Sequence, residues 1–236
     1  SICSSNTLAI IVALSLISTN TLGSPTGISL LDFGITLIWL VGITNAINFF
    51  DNIDGGASGA VAIIAAALTL IAFQNGQVLI SAMASVLVGS TIGFLVWNRP
   101  PARIYMGDAG ALFLGTLIAS LTIRVDSNDV IGYFGLFIPL LLLAIPILDT
   151  SVAVLNRMRR GISPFQGGKD HLSHRIIRLG VDRKFTVVIL WCLTFTFSLL
   201  AVLAHTYYDS IGHTILVLAS LLWLVCFTFF MLRSDN

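Results

Sequence analysis

The chain has 236 residues, of which 56% are hydrophobic and only 10% are charged, and its mean hydropathy is +0.97. Soluble globular domains carry about 25% charged residues, so this composition excludes a soluble enzyme. It predicts an integral membrane protein whose surroundings are the lipid bilayer and which has no nucleic-acid partner.

Eight apolar segments follow one another along the chain. A helix needs about 20 apolar residues to cross a hydrocarbon core of roughly 30 Å. We therefore predict an all-α, polytopic bundle of about eight transmembrane helices that form a single domain over residues 1–236. The predicted spans are 6–22, 28–48, 57–74, 77–97, 110–124, 131–154, 184–206 and 211–232. Residue 1 is Ser, and an apolar span follows almost at once, so we expect the sequence to be an N-terminally incomplete fragment.

The basic residues are distributed unequally between the two sides that alternating spans would create. Connections 49–56, 98–109 and 155–183, with the two chain ends, fall on one side, and eleven of the twelve Lys and Arg lie on or next to it. Only Arg124 falls on the other side. Because cytoplasmic loops carry the excess of Lys and Arg, we predict that these three connections are cytoplasmic.

The first polar segment is TNAINFFDNIDGGASG, at the end of the second predicted span. Asn45, Asn48 and Asp51 recur at intervals of three, and Asp54 continues the series, so on a helix they would form one polar stripe. One alternative is a helix that ends at Gly55, with both carboxylates solvated in a loop. However, negative charge is unfavourable at a helix C-terminus. The pattern therefore favours a bound cation such as Mg²⁺, which prefers carboxylates, amide oxygens, water and phosphates.

The second polar segment is NRPPARIYMGDAGALFLG, residues 98–115, in which Asp108 lies between two glycines just before the fifth span. Asp108 could serve only as the N-cap of that helix, which is a common role for Asp. Alternatively, the free N–H groups of the helix start could bind phosphate. Because this segment lies on the same side as the first one, Asp108 is a candidate for the second half of a metal site.

The third polar segment, residues 148–180, is the longest and most basic connection and contains His171 and His174. A basic loop beside a membrane commonly attracts anionic lipid. Here the basic residues alternate with turn-forming residues, an arrangement that fits a pyrophosphate-binding loop. A zinc site on the two histidines is disfavoured because no further thiol or imidazole lies nearby. Asp149 could orient one of the basic groups.

Together these segments, within residues 40–180, resemble the polyprenyl-phosphate N-acetylhexosamine-1-phosphate transferases. NAINFFDNIDGGASG resembles the family's Asn-rich segment with its Asp-Gly pair, and PARIYMGDAGALFLG is similar to its Met-Gly-Asp signature. SPFQGGKDHLSHRIIRLG resembles the histidine loop of the members that use UDP-N-acetylglucosamine or a close relative. The resemblance implies a multi-pass protein of the bacterial plasma membrane with its active site facing the cytoplasm.

The resemblance also implies roles for individual residues. Asp108 would bind Mg²⁺, with Mn²⁺ as the alternative ion and Asn48 as a second ligand, while Asp51 and Asp54 would line the catalytic pocket. The residues implied in substrate binding are Asn45, Asn48, Arg157, Arg160, His171, His174 and Arg175. A polyprenyl-phosphate oxygen would attack the sugar-linked phosphorus of a UDP-N-acetylhexosamine, giving UMP and the polyprenyl-diphosphate sugar that begins synthesis of a cell-envelope polysaccharide.

Two features depart from the family pattern. The family's adjacent Asp-Asp pair occurs nowhere in this chain, and Asn52 and Gly56 replace the commoner Gly and Leu.

Two other kinds of protein could place acidic residues in a membrane protein. The CDP-alcohol phosphotransferases are excluded, because the segment after Gly55 contains none of the further charged residues of their signature. A transporter or channel would carry ionisable residues near the bilayer midplane, whereas the acidic residues here lie at the membrane edges. The sugar, the pathway and the oligomeric state stay open.

Overall fold

The computed structural model describes residues 29–125, 133–163, 168 and 170–233, and all regular structure within these ranges is helical. We number the helices in chain order. They are α1 (Ser29–Phe50), α2 (Gly56–Gln74), α3 (Val78–Asn98), α4 (Gly107–Ile123), α5 (Tyr133–Leu142), α6 (Ala144–Arg159), α7 (Leu172–Arg178), α8 (Arg183–Thr206) and α9 (His213–Leu232), with a π-helical turn at Tyr208–Gly212 before α9.

The all-α, membrane-spanning architecture is confirmed, but the count of eight spans is not. Within the described residues, five helices are long and apolar enough to cross a membrane, or six if the bent pair α5–α6 counts as one span. Helix α4 is apolar but only 17 residues long. The predicted span 6–22 lies outside the described residues. The remaining predicted boundaries agree with the observed helices to within a few residues, because long apolar runs between polar loops mark them clearly.

The predicted span 131–154 corresponds to a bent pair of helices and not to one straight helix. The axes of α5 and α6 meet at 76°, and Leu143 between them has φ −100° and ψ 14°. Pro146 provides the physical reason, since it has no N–H to donate to the carbonyl of Leu142 and its ring would clash with that carbonyl in a continuous helix. The chain therefore turns, and α6 takes a different direction that continues to Arg159.

Helix α2 forms the centre of the bundle, packing most extensively against α3 and α8. Its first half is rich in Gly and Ala, and Ala57, Ala60 and Ala65 are fully buried. Small side chains allow helix backbones to approach closely, which is the main source of helix association within lipid. The C-terminal end of α1 and the N-terminal end of α4 lie beside α2, and both lead to the polar connections.

The connections gather at two ends of the bundle, as alternating spans require. We call one the polar end; it contains residues 51–55, 99–106, 160–163, 168 and 170–182 and the C-terminal end of α9. Side-chain hydrogen bonds join these parts in the pairs Gly55–Asn98, Asn52–Ser173 and Arg175–Phe230. At the opposite end, Gln77 donates to the Arg124 carbonyl at 3.0 Å and Gln74 donates to Thr206 at 3.1 Å. These bonds bring the described parts of the three polar connections together, and the side of the membrane that they face stays a prediction.

Candidate active site

Close packing of α1 against α4 brings the first two polar segments together. The hydroxyls of Thr44 and Thr116 lie 3.2 Å apart, and a Cβ added to Gly115 would be only 2.9 Å from the Cα and carbonyl oxygen of Thr44. The two helices are antiparallel neighbours, so two turns beyond this contact α1 reaches Asp51 while α4 returns to Asp108. The glycine is therefore needed for the approach that places these two carboxylates at the same end.

Three carboxylates form the centre of the polar end. Burial, together with the neighbouring charges of Asp54 and Asp108, raises the pKa of Asp51 from 3.8 to about 7. Asp54 also accepts a hydrogen bond from the backbone N–H of Ala102 at 3.0 Å. Asp108 is exposed in the first turn of α4, whereas the N-cap position is Met106 and no side chain caps the helix. The alternative that Asp108 serves only as an N-cap is therefore not supported.

Asn98, at the last position of α3, joins the first and second polar segments. Its Oδ1 accepts from the backbone N–H of Gly55 at 3.1 Å and from the hydroxyl of Ser58 at 2.8 Å. Its Nδ2 donates to the carbonyl of Ile104 at 3.0 Å. On the other side of the same turn, the indole N–H of Trp191 donates to the Gly55 carbonyl at 3.1 Å. Gly55 itself has φ +75°, a conformation that favours glycine.

The two asparagines of the polar stripe differ in their contacts. Asn45 is half-buried and donates to the carbonyl of Val41 at 2.7 Å, one turn back along α1. Asn48 is also half-buried, and no hydrogen bond of its side chain occurs among the described residues. Its amide oxygen is therefore available to a ligand at the end of α1 beside the carboxylates.

The donor set at this end fits Mg²⁺ in kind. Mg²⁺ is commonly held by one or two carboxylates together with waters and substrate phosphates, not by a closed protein cage. Asp54 and Asp108 are close enough to Asp51 for their charges to act on it, and Asn48 offers an amide oxygen. Among the described residues, no group of three or more His, Cys, Asp or Glu side chains is arranged to hold a metal ion.

A chain of buried polar contacts fixes His171 in the third segment. Asp149 is fully buried in α6; its Oδ2 lies 2.8 Å from Nδ1 of His171, and its Oδ1 accepts from the backbone N–H of Leu172 at 2.6 Å. Nε2 of His171 lies 3.4 Å from Nη2 of Arg157. Because arginine can only donate, Nε2 accepts and the ring proton lies on Nδ1, which donates to Asp149. The prediction that Asp149 orients a basic group is confirmed.

Asp170 neutralises the basic end of α6. Its carboxylate accepts from Nε of Arg157 at 3.1 Å and from Nδ2 of Asn156 at 3.3 Å, and it is ion-paired with Arg160. Although burial opposes ionisation, the hydrogen bonds from the two arginines hold the pKa of Asp170 below its usual value. Arg157 is buried, whereas the side chain of Arg160 is 48% exposed. Of the two, only Arg160 can reach a ligand in solvent without rearrangement.

Arg175 faces away from the carboxylates. Its Nε donates to the carbonyl of Asp170 at 2.8 Å and its Nη1 donates to the carbonyl of Phe230, in the last turn of α9, at 2.6 Å. His174 is half-buried on the same short helix and has contacts of its own. The roles of Arg175 and His174 in substrate binding stay predictions.

Two contacts tie the third segment to the first. The hydroxyl of Ser173 donates to Oδ1 of Asn52, and the rings of Phe49 and His171 lie 6.0 Å apart between their centroids. All three predicted polar segments therefore meet at the polar end, with the carboxylates on one side and His171 on the other.

Sequence reasoning missed the residues that hold these segments together. Asn98 and Asp170 were not singled out, and Asn52 was noted only as a departure from a pattern. A polar residue at a helix end, two positions before Pro100-Pro101 in the case of Asn98, was the available signal. Nothing in the sequence indicated which groups these side chains would bind.

The geometry defines a polytopic helical membrane protein with three acidic residues at one end of the bundle. The sequence profile of glycosyl transferase family 4 matches residues 2–126, more than half of the chain, so the chain belongs to that family.

By their names the relatives are transferases, and two of the three act with a polyprenyl phosphate. The chain is 36% identical over 170 residues to a probable undecaprenyl-phosphate N-acetylglucosaminyl 1-phosphate transferase of Bacillus subtilis (strain 168), covering 72% of this chain and 47% of that one. It is 34% identical over 175 residues to the decaprenyl-phosphate N-acetylglucosaminephosphotransferase of Mycobacterium leprae (strain TN), covering 66% and 44%. It is 40% identical over 100 residues to a phospho-N-acetylmuramoyl-pentapeptide-transferase of Levilactobacillus brevis, covering 42% and 31%. The chain thus spans half or less of the length of these relatives.

Proposed function

We propose that this chain carries the catalytic end of an enzyme that transfers N-acetylglucosamine-1-phosphate, or a closely related sugar phosphate, from a UDP-sugar to polyprenyl phosphate. The proposal rests on one observation. Asp51, Asp54 and Asp108 lie at the same end of the membrane bundle as the third polar segment, which contains His171 and is called the His171 loop below. Such a site can receive a lipid phosphate from the bilayer and a nucleotide from the aqueous side. Family membership and the names of the relatives support the same reaction.

In the proposed reaction, an oxygen of polyprenyl phosphate forms a bond to the sugar-linked phosphorus of the UDP-sugar. The bond from that phosphorus to the bridging oxygen of UMP breaks, and UMP leaves with the electron pair. Asp108 and Asn48 would hold Mg²⁺, which when bound would neutralise charge on the diphosphate oxygens. Asp51 and Asp54 lie beside these ligands, where they would keep the ion and the diphosphate in one position.

The third segment would supply the cationic and hydrogen-bonding side of the pocket. Arg157 and Asp149 are buried and contact His171 from both ring nitrogens, so we assign them as positioning residues. Arg160, whose side chain is 48% exposed, is the group placed to meet the sugar nucleotide, whereas His171 is buried with both ring nitrogens engaged and would reach it only after these contacts rearrange. His174 and Asn45, both half-buried, stay candidates from the sequence.

We further propose that the polar end faces the cytoplasm of a bacterial plasma membrane. Eleven of the twelve Lys and Arg lie at or near this end in the sequence, and cytoplasmic loops carry the excess of positive charge. UDP-sugars are soluble, doubly charged compounds, so an active site on this side would meet them directly. The lipid substrate would reach the same boundary by lateral diffusion.

The proposal is tested by UMP release. The chain in phospholipid vesicles is given UDP-N-acetylglucosamine and polyprenyl phosphate, with Mg²⁺ or with EDTA. We expect UMP release that requires both the lipid and the metal. Because the chain spans half or less of its relatives' length, the assay is repeated after co-expression with the N-terminal half of the Bacillus subtilis relative. Absence of UMP in both preparations, with UDP-N-acetylgalactosamine as an alternative donor, would contradict the proposal.

A further inference from the structure

A pocket separate from the candidate active site lies at the polar end, on the side of α7 that faces α9. It has a volume of about 560 Å³ and is lined by three arginines, Arg175, Arg178 and Arg233, and by apolar residues that include Leu179, Phe229 and Leu232. None of the three carboxylates of the candidate active site lines it. The pocket therefore combines several positive charges with an apolar wall, outside the site described above.

Arg175 forms a buried, positively charged side of this pocket. The residue is only 4% exposed, and its two hydrogen-bond acceptors are uncharged main-chain carbonyls, those of Asp170 and Phe230. Its Nη2 is buried and has no hydrogen-bond partner among the described residues. Burial lowers the pKa of Arg175 and the positive charge of Arg178 lowers it further, while the charges of Asp170 and Asp149 oppose this without reversing it. A buried guanidinium without a carboxylate on its own fork favours an anion beside it.

The other wall of the pocket consists of exposed apolar side chains at the end of a membrane-spanning helix. Leu232, the last residue of α9, is 81% exposed, and Leu179 and Phe229 are also exposed. Helix α9 is one of the spans, so its end marks the boundary between hydrocarbon and headgroups. The guanidinium of Arg233 lies 5.2 Å from the centre of the Phe229 ring, where cation and aromatic ring stabilise each other at this boundary.

We propose that this pocket binds an anionic phospholipid, with its phosphate among Arg175, Arg178 and Arg233 and its acyl chains along Phe229 and Leu232. Arginine forks match the oxygens of a phosphate, and the exposed apolar side chains match hydrocarbon. A soluble phosphate compound would bind the arginines but would leave the exposed apolar side chains of Leu232 and Phe229 without a ligand contact. The bound lipid would fix α7, and through it the His171 loop, against the end of α9.

The proposal is tested by lipid binding to the purified chain in detergent, measured by native mass spectrometry without any transferase substrate. Phosphatidylglycerol and phosphatidylcholine are titrated separately. We expect one phosphatidylglycerol to bind in clear preference to phosphatidylcholine. Removing two positive charges with R178Q/R233Q should weaken phosphatidylglycerol binding roughly thirtyfold. The single variant R233Q should weaken it roughly fivefold.

The matched control is R103Q/R159Q, which removes two exposed arginines that do not line the pocket. It should bind phosphatidylglycerol as the wild type does. Soluble glycerol phosphate should not displace the lipid. The proposal is overturned if R178Q/R233Q keeps wild-type affinity, if the control loses as much affinity, if both lipids bind equally, or if glycerol phosphate competes. The result is independent of the transfer reaction, so a failed UMP assay would leave it standing.

Discussion

Among single residues, Asp108 occupies the most exposed position of the three carboxylates, at the start of α4. Asp51 lies deeper and carries the raised pKa, while Asp54 is tied to the next loop through Ala102. The three acidic residues thus have different surroundings, and each should respond differently to substitution.

Replacing Asp108 with Asn should reduce magnesium-dependent transfer by roughly a hundredfold or more, because the metal would lose a charged ligand. The fold should be unaffected, since Asp108 is exposed and caps no helix. UMP release and the thermal unfolding midpoint are measured together. Asp209→Asn, in the π-helical turn at the opposite end, is the control and should leave both unchanged. Wild-type turnover by D108N would remove Asp108 from the metal site.

Asp51 should make the metal-free protein sensitive to pH. Its pKa of about 7 lies above the ordinary 3.8, so the stability gained by its protonation is complete below pH 4 and is lost as pH rises through 7. D51N should therefore be more stable than the wild type at pH 8 in EDTA, and the difference should shrink towards pH 5. Mg²⁺ should reduce the difference at pH 8 by binding the ionised carboxylate. Unfolding midpoints at each pH test this, and a difference independent of pH would contradict it.

Replacing Asp149 with Asn keeps the side-chain volume at position 149 but should change the hydrogen bond to His171. If the new amide oxygen accepts from Leu172 N–H, its NH₂ group faces Nδ1 of His171, which must then give up its proton. The ring proton moves to Nε2, opposite the donor of Arg157, and we expect a loss of about 1–3 kcal/mol in stability. The ¹⁵N chemical shifts of His171 report the tautomer directly. Unchanged shifts together with wild-type stability would show that the contact does not set the tautomer.

The sequence was informative about which residues are polar and near the membrane edge, but less so about their partners. Asp51, Asp54 and Asp108 could be placed together because polar residues beside long apolar runs are rare and costly. The ion pair between Arg157 and Asp170 forms across a loop. Loops have no hydrophobic periodicity from which such a contact could be predicted. The same loop turns Arg175 towards α9, which local sequence does not reveal.

Among the helices, the α1–α4 contact controls the geometry of the site most directly. Gly115→Ala would place a methyl group 2.9 Å from the backbone of Thr44, and backbone atoms cannot move aside cheaply. We expect a loss of about 1–3 kcal/mol and lower transfer activity, because the separation of Asp51 and Asp108 changes. Gly93→Ala on α3 is the matched control, since nothing lies within 4 Å of the added carbon. Equal melting temperatures for the two variants would contradict the proposed close packing.

Helix boundaries were largely predictable, and the bend was not predicted although its cause was visible. Segment 131–154 is apolar throughout, and length and hydropathy alone indicate one span. Pro146 removes a single hydrogen bond, which a membrane helix often tolerates with a slight kink. Whether the helix kinks or turns by 76° depends on the packing of α5 against α8 and of α6 against α1 and α9. That packing is tertiary information.

For the whole molecule, the two ends of the bundle should lie on opposite sides of the membrane. In a background with Cys3, Cys192 and Cys226 replaced by Ser, the exposed residues Ile162 and Tyr207 are changed singly to Cys. In intact cells a membrane-impermeant maleimide should label Tyr207→Cys but label Ile162→Cys only after permeabilisation, because the polar end would face inward. The reverse pattern would contradict the cytoplasmic site, and labelling of both in intact cells would contradict the two-ended arrangement.

Asn98 has one further consequence for the molecule as a unit. Its planar amide presents an acceptor to Gly55 and Ser58 and a donor to Ile104. Aspartate would turn a negative oxygen towards the Ile104 carbonyl, and leucine would leave all three groups without this partner. Together with the hydrogen bond from the Ala102 N–H to Asp54, Asn98 links the loops that lead to Asp54 and Asp108. We therefore expect a displacement of either loop to shift the other.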